Sequence, residues 1–197
     1  MIIDRPRIRV ALLCGLLLLM APFALVGLRY ASGNVHEVEA GVLYRSGQLD
    51  GPALRRLVAD KGIRTILNLR GAHPEADWYR QEVAVARESG IDHRSLAISA
   101  RSVPEMATMI EIARILNEAP RPILVHCQGG SDRSGLVAAI HELVVERSDE
   151  AQAAGQLSIA YGHFPWLGSR TVAMDRAFSR FAAYWKEERR ELVAFED

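Results

Sequence analysis

The most constraining stretch of this chain is Pro122-Ile123-Leu124-Val125-His126-Cys127-Gln128-Gly129-Gly130-Ser131-Asp132-Arg133-Ser134-Gly135. It opens with a short run of branched apolar residues, the pattern of a buried strand. It closes into an apolar-periodic segment, Leu136 to Val145, that predicts a helix. Between them lie a cysteine, five residues and an arginine. A strand, a tight loop and a helix N-terminus make an anion cradle. Successive backbone N–H groups point inward and the helix dipole adds partial positive charge. Gly129 and Gly130 permit the positive φ angles and the close backbone approach that such a loop needs.

The side chains of the loop fit one reaction. A helix N-terminus and a nearby cation favour the thiolate, the reactive form of cysteine, and Cys127 would have both. Arg133 offers a planar fork that matches two phosphate oxygens. The hydroxyl of Ser134 can donate to the sulfur and ease its departure. The backbone of Gln128, Gly129, Gly130 and Ser131 would bind the substrate's oxygens. Together these residues place a nucleophile beneath a phosphoryl group, with the developing charge held by N–H donors and a guanidinium.

His126-Cys127-x5-Arg133-Ser134-Gly135 resembles the signature loop of the cysteine-dependent protein tyrosine phosphatase superfamily, dual-specificity branch. Val42-Leu43-Tyr44-Arg45-Ser46-Gly47-Gln48 is similar to the first segment of bacterial and plant members, and Ile66-Leu67-Asn68-Leu69-Arg70-Gly71 to their next strand. The resemblance covers about residues 35–185. It implies a metal-independent, cofactor-free phosphomonoester hydrolase, with a phosphorylated protein or a phosphorylated lipid as substrate. It also implies that His126 sits behind the cysteine and tunes the thiolate.

Composition narrows the classes further. A chain of 197 residues suits one globular domain plus an accessory segment. With 24 basic and 24 acidic residues it lacks the basic excess of a nucleic-acid binder. Its two cysteines, Cys14 and Cys127, are far apart in type of surroundings, and the six histidines form no metal-ligand spacing.

Arg5, Arg7 and Arg9 precede Val10–Leu28, nineteen residues without a charge. That run predicts a transmembrane helix acting as an uncleaved signal anchor, with a cleaved signal peptide as the alternative. The basic flank would be cytoplasmic. The protein would then be single-pass in the inner membrane, with its catalytic domain facing outward. The domain plan is residues 1–29 as anchor, 30–40 as linker and 41–190 as the catalytic domain.

Strand patterns at Val42–Arg45, Ile63–Arg70, Ile91–Leu96 and Ile123–His126 alternate with helical patterns. They predict an α/β fold, a central mostly parallel sheet of four to five strands flanked by helices, preceded by the transmembrane helix. Asp50 or Gly51 starts a helix that Gly62 ends; Trp78–Ser89 is a second. Ser102-Val103-Pro104-Glu105 reads as a capping box for a third, and a helix runs from the loop to Arg147. Ser148 caps another to about Ala160. Met174, Phe178, Phe181 and Trp185 form the inward stripe of the last helix.

In such sheets ligands bind at the carboxyl ends of parallel strands. Loops Gly71–Asp77, Ala97–Ser102 and Cys127–Arg133 would share that edge, bringing Arg70 and Arg101 near the phosphate. The general acid departs from the family pattern, because Ala97–Ser102 holds no carboxylate. Asp132, directly before the arginine, is the alternative, since some bacterial members place an aspartate there. A bracing role for Asp132 is the competing reading. His163 reads as a packing or loop-bracing residue. Two other classes stand beside the phosphatase: a rhodanese-like sulfurtransferase and a non-catalytic phosphate-binding module.

Overall fold

The computed structural model describes residues 10, 12–16, 20, 27 and 32–194, with side chains to 188. The chain divides into two units, residues 1–32 and 33–197. The second begins with strand β1, His36–Glu39, and β2, Leu43–Ser46. Helix α1, Gly51–Lys61, β3, Thr65–Asn68, α2, Asp77–Glu88, and β4, Asp92–Ser95, follow. Then come α3, Met106–Glu118, β5, Ile123–His126, and α4, Asp132–Val144. A short α5, Glu150–Ala154, a 3-10 turn at Ile159–Tyr161 and the long α6, Val172–Ala194, complete the unit.

The five strands lie in the order β1-β2-β5-β3-β4. β1 runs antiparallel to β2, and the other pairings are parallel. The parallel registers align Ser46, His126, Asn68 and Ser95. The loops after these four residues therefore leave the sheet at one edge, the edge that carries ligands in open parallel sheets.

Strand alternation sorts the core into two layers. Leu43, Leu67, Ile123 and Val125 face α3, α4 and α6; Tyr44, Ile66 and Leu124 face α1 and α2. Helix α4 lies within the first layer, with Leu136, Val137, Ala138, Ala139 and Ile140 fully buried. A helix apolar around most of its circumference cannot sit at a surface, and this one does not. Leu136, Val137 and Ile140 each contribute about 1.5–3 kcal/mol on burial. The stripe of α6 is buried as its spacing predicts at Met174, Phe178 and Phe181, with Trp185 packed against its edge. Asp50 caps α1 by accepting from Ala53 N at 2.7 Å, and Gly62 closes it in the left-handed region at φ 63°.

Several expectations need correction. The transmembrane helix predicted over residues 10–28 is not supported: among the described residues no helix is long and apolar enough to cross a membrane. The single-pass inner-membrane placement and the membrane contact through residues 10–28 lose their basis with it. The rest of that run, including any cleavage point, lies outside the described residues.

The linker expected over residues 30–40 contains β1, an edge strand held partly by Glu39, whose carboxylate meets His141 of α4 at 2.7 Å. The capping box does not form. Pro104 restrains Val103 from helical backbone, and α3 starts three residues later than that box requires, with Glu105 as an N-cap that makes no side-chain bond. The helix expected from Ser148 to Ala160 is broken into α5 and the 3-10 turn. α4 stops at Val144, and Arg147 turns the chain with φ 59°.

Candidate active site

Loop 127–131 is held by its carbonyls. Gln48 N donates to Gln128 O at 3.1 Å. Asn34 Nδ2 donates to Gly129 O at 2.9 Å. Arg45 Nη2 donates to Gly130 O at 3.1 Å and to Ser131 O at 2.8 Å. Four consecutive carbonyl oxygens thus point into the scaffold. In a trans peptide the N–H lies opposite its carbonyl, so the amides of residues 129–132 turn to the other side. One of them already meets the sulfur: Gly130 N lies 3.2 Å from Cys127 Sγ. The loop continues into α4, whose first turn adds its own free N–H groups and dipole.

Only one of the two loop glycines takes a positive φ. Gly130 lies at 73° and Gly129 does not. A Cβ on Gly130 would sit 2.5 Å from Gly47 N and 2.7 Å from Ser46 C, so glycine is required for packing as well as for backbone angle. Gly135 serves differently. Its missing Cβ leaves room for Arg45, whose Nη2 would lie 2.9 Å away.

Arg45 is fully buried. Besides its two loop carbonyls it donates through Nη1 to Gln156 O and Oε1, both at 2.9 Å, and its guanidinium stacks 4.5 Å above the Tyr161 ring. Burial pulls it down to about 10, against the opposing pull of Cys127, Tyr161 and Asp132. Strand alternation puts Arg45 on the face of Leu43, inside the core. A charged residue at a core-facing register was the signal that sequence reasoning passed over. Asn34, placed in the expected linker, was missed as well.

Cys127 itself is buried, and Ser134 Oγ stands 3.6 Å from its sulfur. Arg133 Nη1 donates to Leu69 O at 3.2 Å and Ile98 O at 3.3 Å, so it spans the loops after β3 and β4. Its Nε is buried with no partner among the described residues. Such a donor is costly to leave unmet, and a bound oxyanion would satisfy it. Gln128 is exposed, while Ser131 is buried with its hydroxyl 3.4 Å from Gly129 O.

His126 is buried behind the loop. Its ring contacts Cys127 O at 3.4 Å and Glu82 Oε2 at 2.9 Å; among the described residues no hydrogen bond runs from it to the sulfur. Glu82 is a buried carboxylate that also meets His93 at 2.8 Å and Gln48 Nε2 at 3.1 Å. Burial alone would raise it, but the bonds from His126, His93 and Gln48 prevail and hold it near 2, an ionised hub beneath the loop.

Arg70 lies at the strand edge, its guanidinium 3.7 Å over the Trp78 ring and its Nη1 2.9 Å from Gln48 Oε1. Burial, then the charge of Arg133, lowers it. Arg101 is exposed, and its backbone N bonds within its own loop, to Ser99 Oγ. Asp92 starts β4, at the sheet end opposite the loop, and is paired with Arg94 at 2.8 Å. Asp132 is the carboxylate the loop itself carries. Its Oδ1 lies 2.7 Å from His163 Nδ1.

Residues 17–173 match the family described as DSP-PTPase phosphatase fused to NAD+ kinase. The chain belongs to the dual-specificity branch of the cysteine-dependent protein tyrosine phosphatases. It is a phosphatase of the protein tyrosine phosphatase type. No curated protein matches the sequence. Among solved structures the fold is similar to TpbA of P. aeruginosa, at 21% identity and TM-score 0.58, over 78% of this chain and 91% of that one. Tk-PTP in its active form superposes with TM-score 0.61 at 15% identity, covering 76% of this chain and 97% of that one. PTPMT1 gives 0.57 at 16% identity, covering 78% and 99%. At these identities the likeness is one of fold.

Proposed function

We propose that the protein hydrolyses phosphomonoesters through a thiophosphoryl intermediate on Cys127. The observation that carries this reading is the set of four loop carbonyls tied into the scaffold, which turns the opposite amides toward the sulfur. Cys127 Sγ forms the S–P bond as the ester P–O bond breaks and its electron pair leaves on oxygen. Asp132 passes its carboxyl proton to that oxygen. Water then attacks phosphorus, the S–P pair returns to sulfur, and the Asp132 carboxylate takes a proton from the water. The sum is monoester plus water to alcohol plus inorganic phosphate. Arg133 and the amides of Gly129, Gly130 and Ser131 hold the equatorial oxygens, and Ser134 steadies the departing thiolate.

Phosphotyrosine is the first candidate substrate class. A cysteine-to-serine form of TpbA has been solved in complex with phosphotyrosine, and PTPMT1 in complex with the phosphoinositide PI(5)P. Residues 128–132 contain no lysine to hold extra phosphates, which favours a simple monoester over a polyphosphorylated headgroup. Hydrolysis of para-nitrophenyl phosphate by wild type, lost in Cys127→Ser and insensitive to EDTA, is the expected result. A serine variant that keeps the activity would exclude the mechanism. Asp132→Asn should slow alkyl phosphates by about 100-fold and aryl phosphates less, because phenoxide leaves more easily unaided. Equal losses on both would assign Asp132 a bracing role instead.

A further inference from the structure

His163 is fully buried, yet both its ring nitrogens face carboxylates. Nδ1 lies 2.7 Å from Asp132 Oδ1, at the first turn of α4, and Nε2 lies 2.9 Å from Asp175 Oδ2, at the start of α6. With the Asp132 proton on Oδ2, Oδ1 can still accept from Nδ1–H, and Asp175 can accept from Nε2–H, so a ring that carries a proton on each nitrogen meets both contacts. We infer that His163 is a positioning residue for the general acid: it occupies Oδ1 of Asp132, so that the transferable proton rides on Oδ2, and Asp175 holds the ring in that role. The inference rests on the phosphatase reading above.

The chemistry follows from the occupancy of the two oxygens. Oδ2 of Asp132 takes no hydrogen bond among the described residues, whereas Oδ1 is committed. When the carboxyl gives its proton to the leaving oxygen, the new carboxylate stands beside a cation already in place. That cation stabilises the negative charge as it develops on the carboxyl during the transfer. When water is deprotonated in the second step, the proton returns to Oδ2 and the imidazolium is unchanged. His163 therefore neither gains nor loses a proton over the cycle.

The surroundings are consistent with a charged ring. Asp132 faces it from α4 and Asp175 from α6. The buried Arg45 of β2 stacks on Tyr161, two residues before His163, and His36 of β1 meets the same Tyr161 ring edge-on. Burial opposes the charge, but the bonds to Asp132 and Asp175 outweigh it and raise the ring above its ordinary value.

The test compares wild type, His163→Gln, Asp175→Asn and Asp132→Asn, with the His163→Gln and Asp132→Asn double variant, on an alkyl and an aryl phosphate across pH. His163→Gln should lose about 10-fold on the alkyl phosphate and distinctly less on the aryl one. The alkaline limb of kcat/KM should move to higher pH, since the acid would surrender its proton less readily. The double variant should be no slower than Asp132→Asn alone. Asp175→Asn, at a partly exposed position, should shift the limb the same way by less, and it tests the inference even if His163→Gln does not fold. An unmoved limb, equal losses on both substrates, or losses that multiply in the double variant would overturn the inference while leaving the Cys127 mechanism intact. A Cys127→Ser variant as active as wild type would remove both.

Discussion

A single buried guanidinium organises the reactive loop. Arg45 reaches two loop carbonyls with one nitrogen and Gln156 with the other, a geometry that needs a planar fork. Lysine carries the same charge but has a single nitrogen, so it cannot meet both sets of acceptors. Arg45→Lys should therefore lower kcat/KM by roughly 10- to 100-fold while the protein remains folded at 25 °C, since carbonyls left unbonded are free to turn toward the phosphate. Kinetics on para-nitrophenyl phosphate beside a thermal melt would check this. Unchanged kinetics with a lowered melting temperature would mean that Arg45 supports the core alone. The strand–loop–helix segment that carries Cys127, Asp132, Arg133 and Ser134 was legible in the sequence because its spacing is local. Arg45 and Asn34 were not, because each reaches the loop from 85 or more residues away, and although His163 read as a packing or loop-bracing residue, its carboxylate partners were not legible either, since spacing carries no trace of them.

Secondary-structure elements were legible where their ends carry local chemistry. Asp50, Pro52 and Gly62 mark α1 by an N-cap, a proline in the first turn and a left-handed C-cap, and the helix starts and stops where they say. Asp50→Ala should destabilise the fold by about 1 kcal/mol in urea unfolding, with kinetics unchanged. A loss in activity larger than the loss in stability would show that the cap also positions the Gln48 segment. Where local signals competed, the structure chose differently. Ser102 and Glu105 have the spacing of a capping box, but Pro104 between them keeps the chain extended. His36–Glu39 has no apolar alternation, and it becomes a strand only because β2 offers an unpaired edge and His141 takes Glu39.

At the scale of the whole molecule, Glu82 of α2 joins His126 of β5, His93 of β4 and Gln48 of the loop after β2. Its folded-state value, about 2 against an ordinary 4.5, has a definite consequence for acid stability. A depressed carboxylate contributes stability that is present above its unfolded value and lost as pH falls through its folded one. Between about pH 4.5 and pH 2 the wild type should lose on the order of 3 kcal/mol from this group. Glu82→Gln should be less stable at pH 7 and flatter across that window, measured by urea unfolding at each pH. Parallel curves for the two proteins would rule out Glu82 as the source. The alternation of strand and helix patterns, the strand edge that bears the site, and the cysteine–arginine loop were all determined by the sequence alone, because hydrophobic period and motif spacing are properties of neighbours in the chain. The contact of His163 with Asp132, the burial of Arg45 and the charge hub at Glu82 were decided only by tertiary structure. They depend on which side chains lose water together, and that is settled when distant segments close around one core.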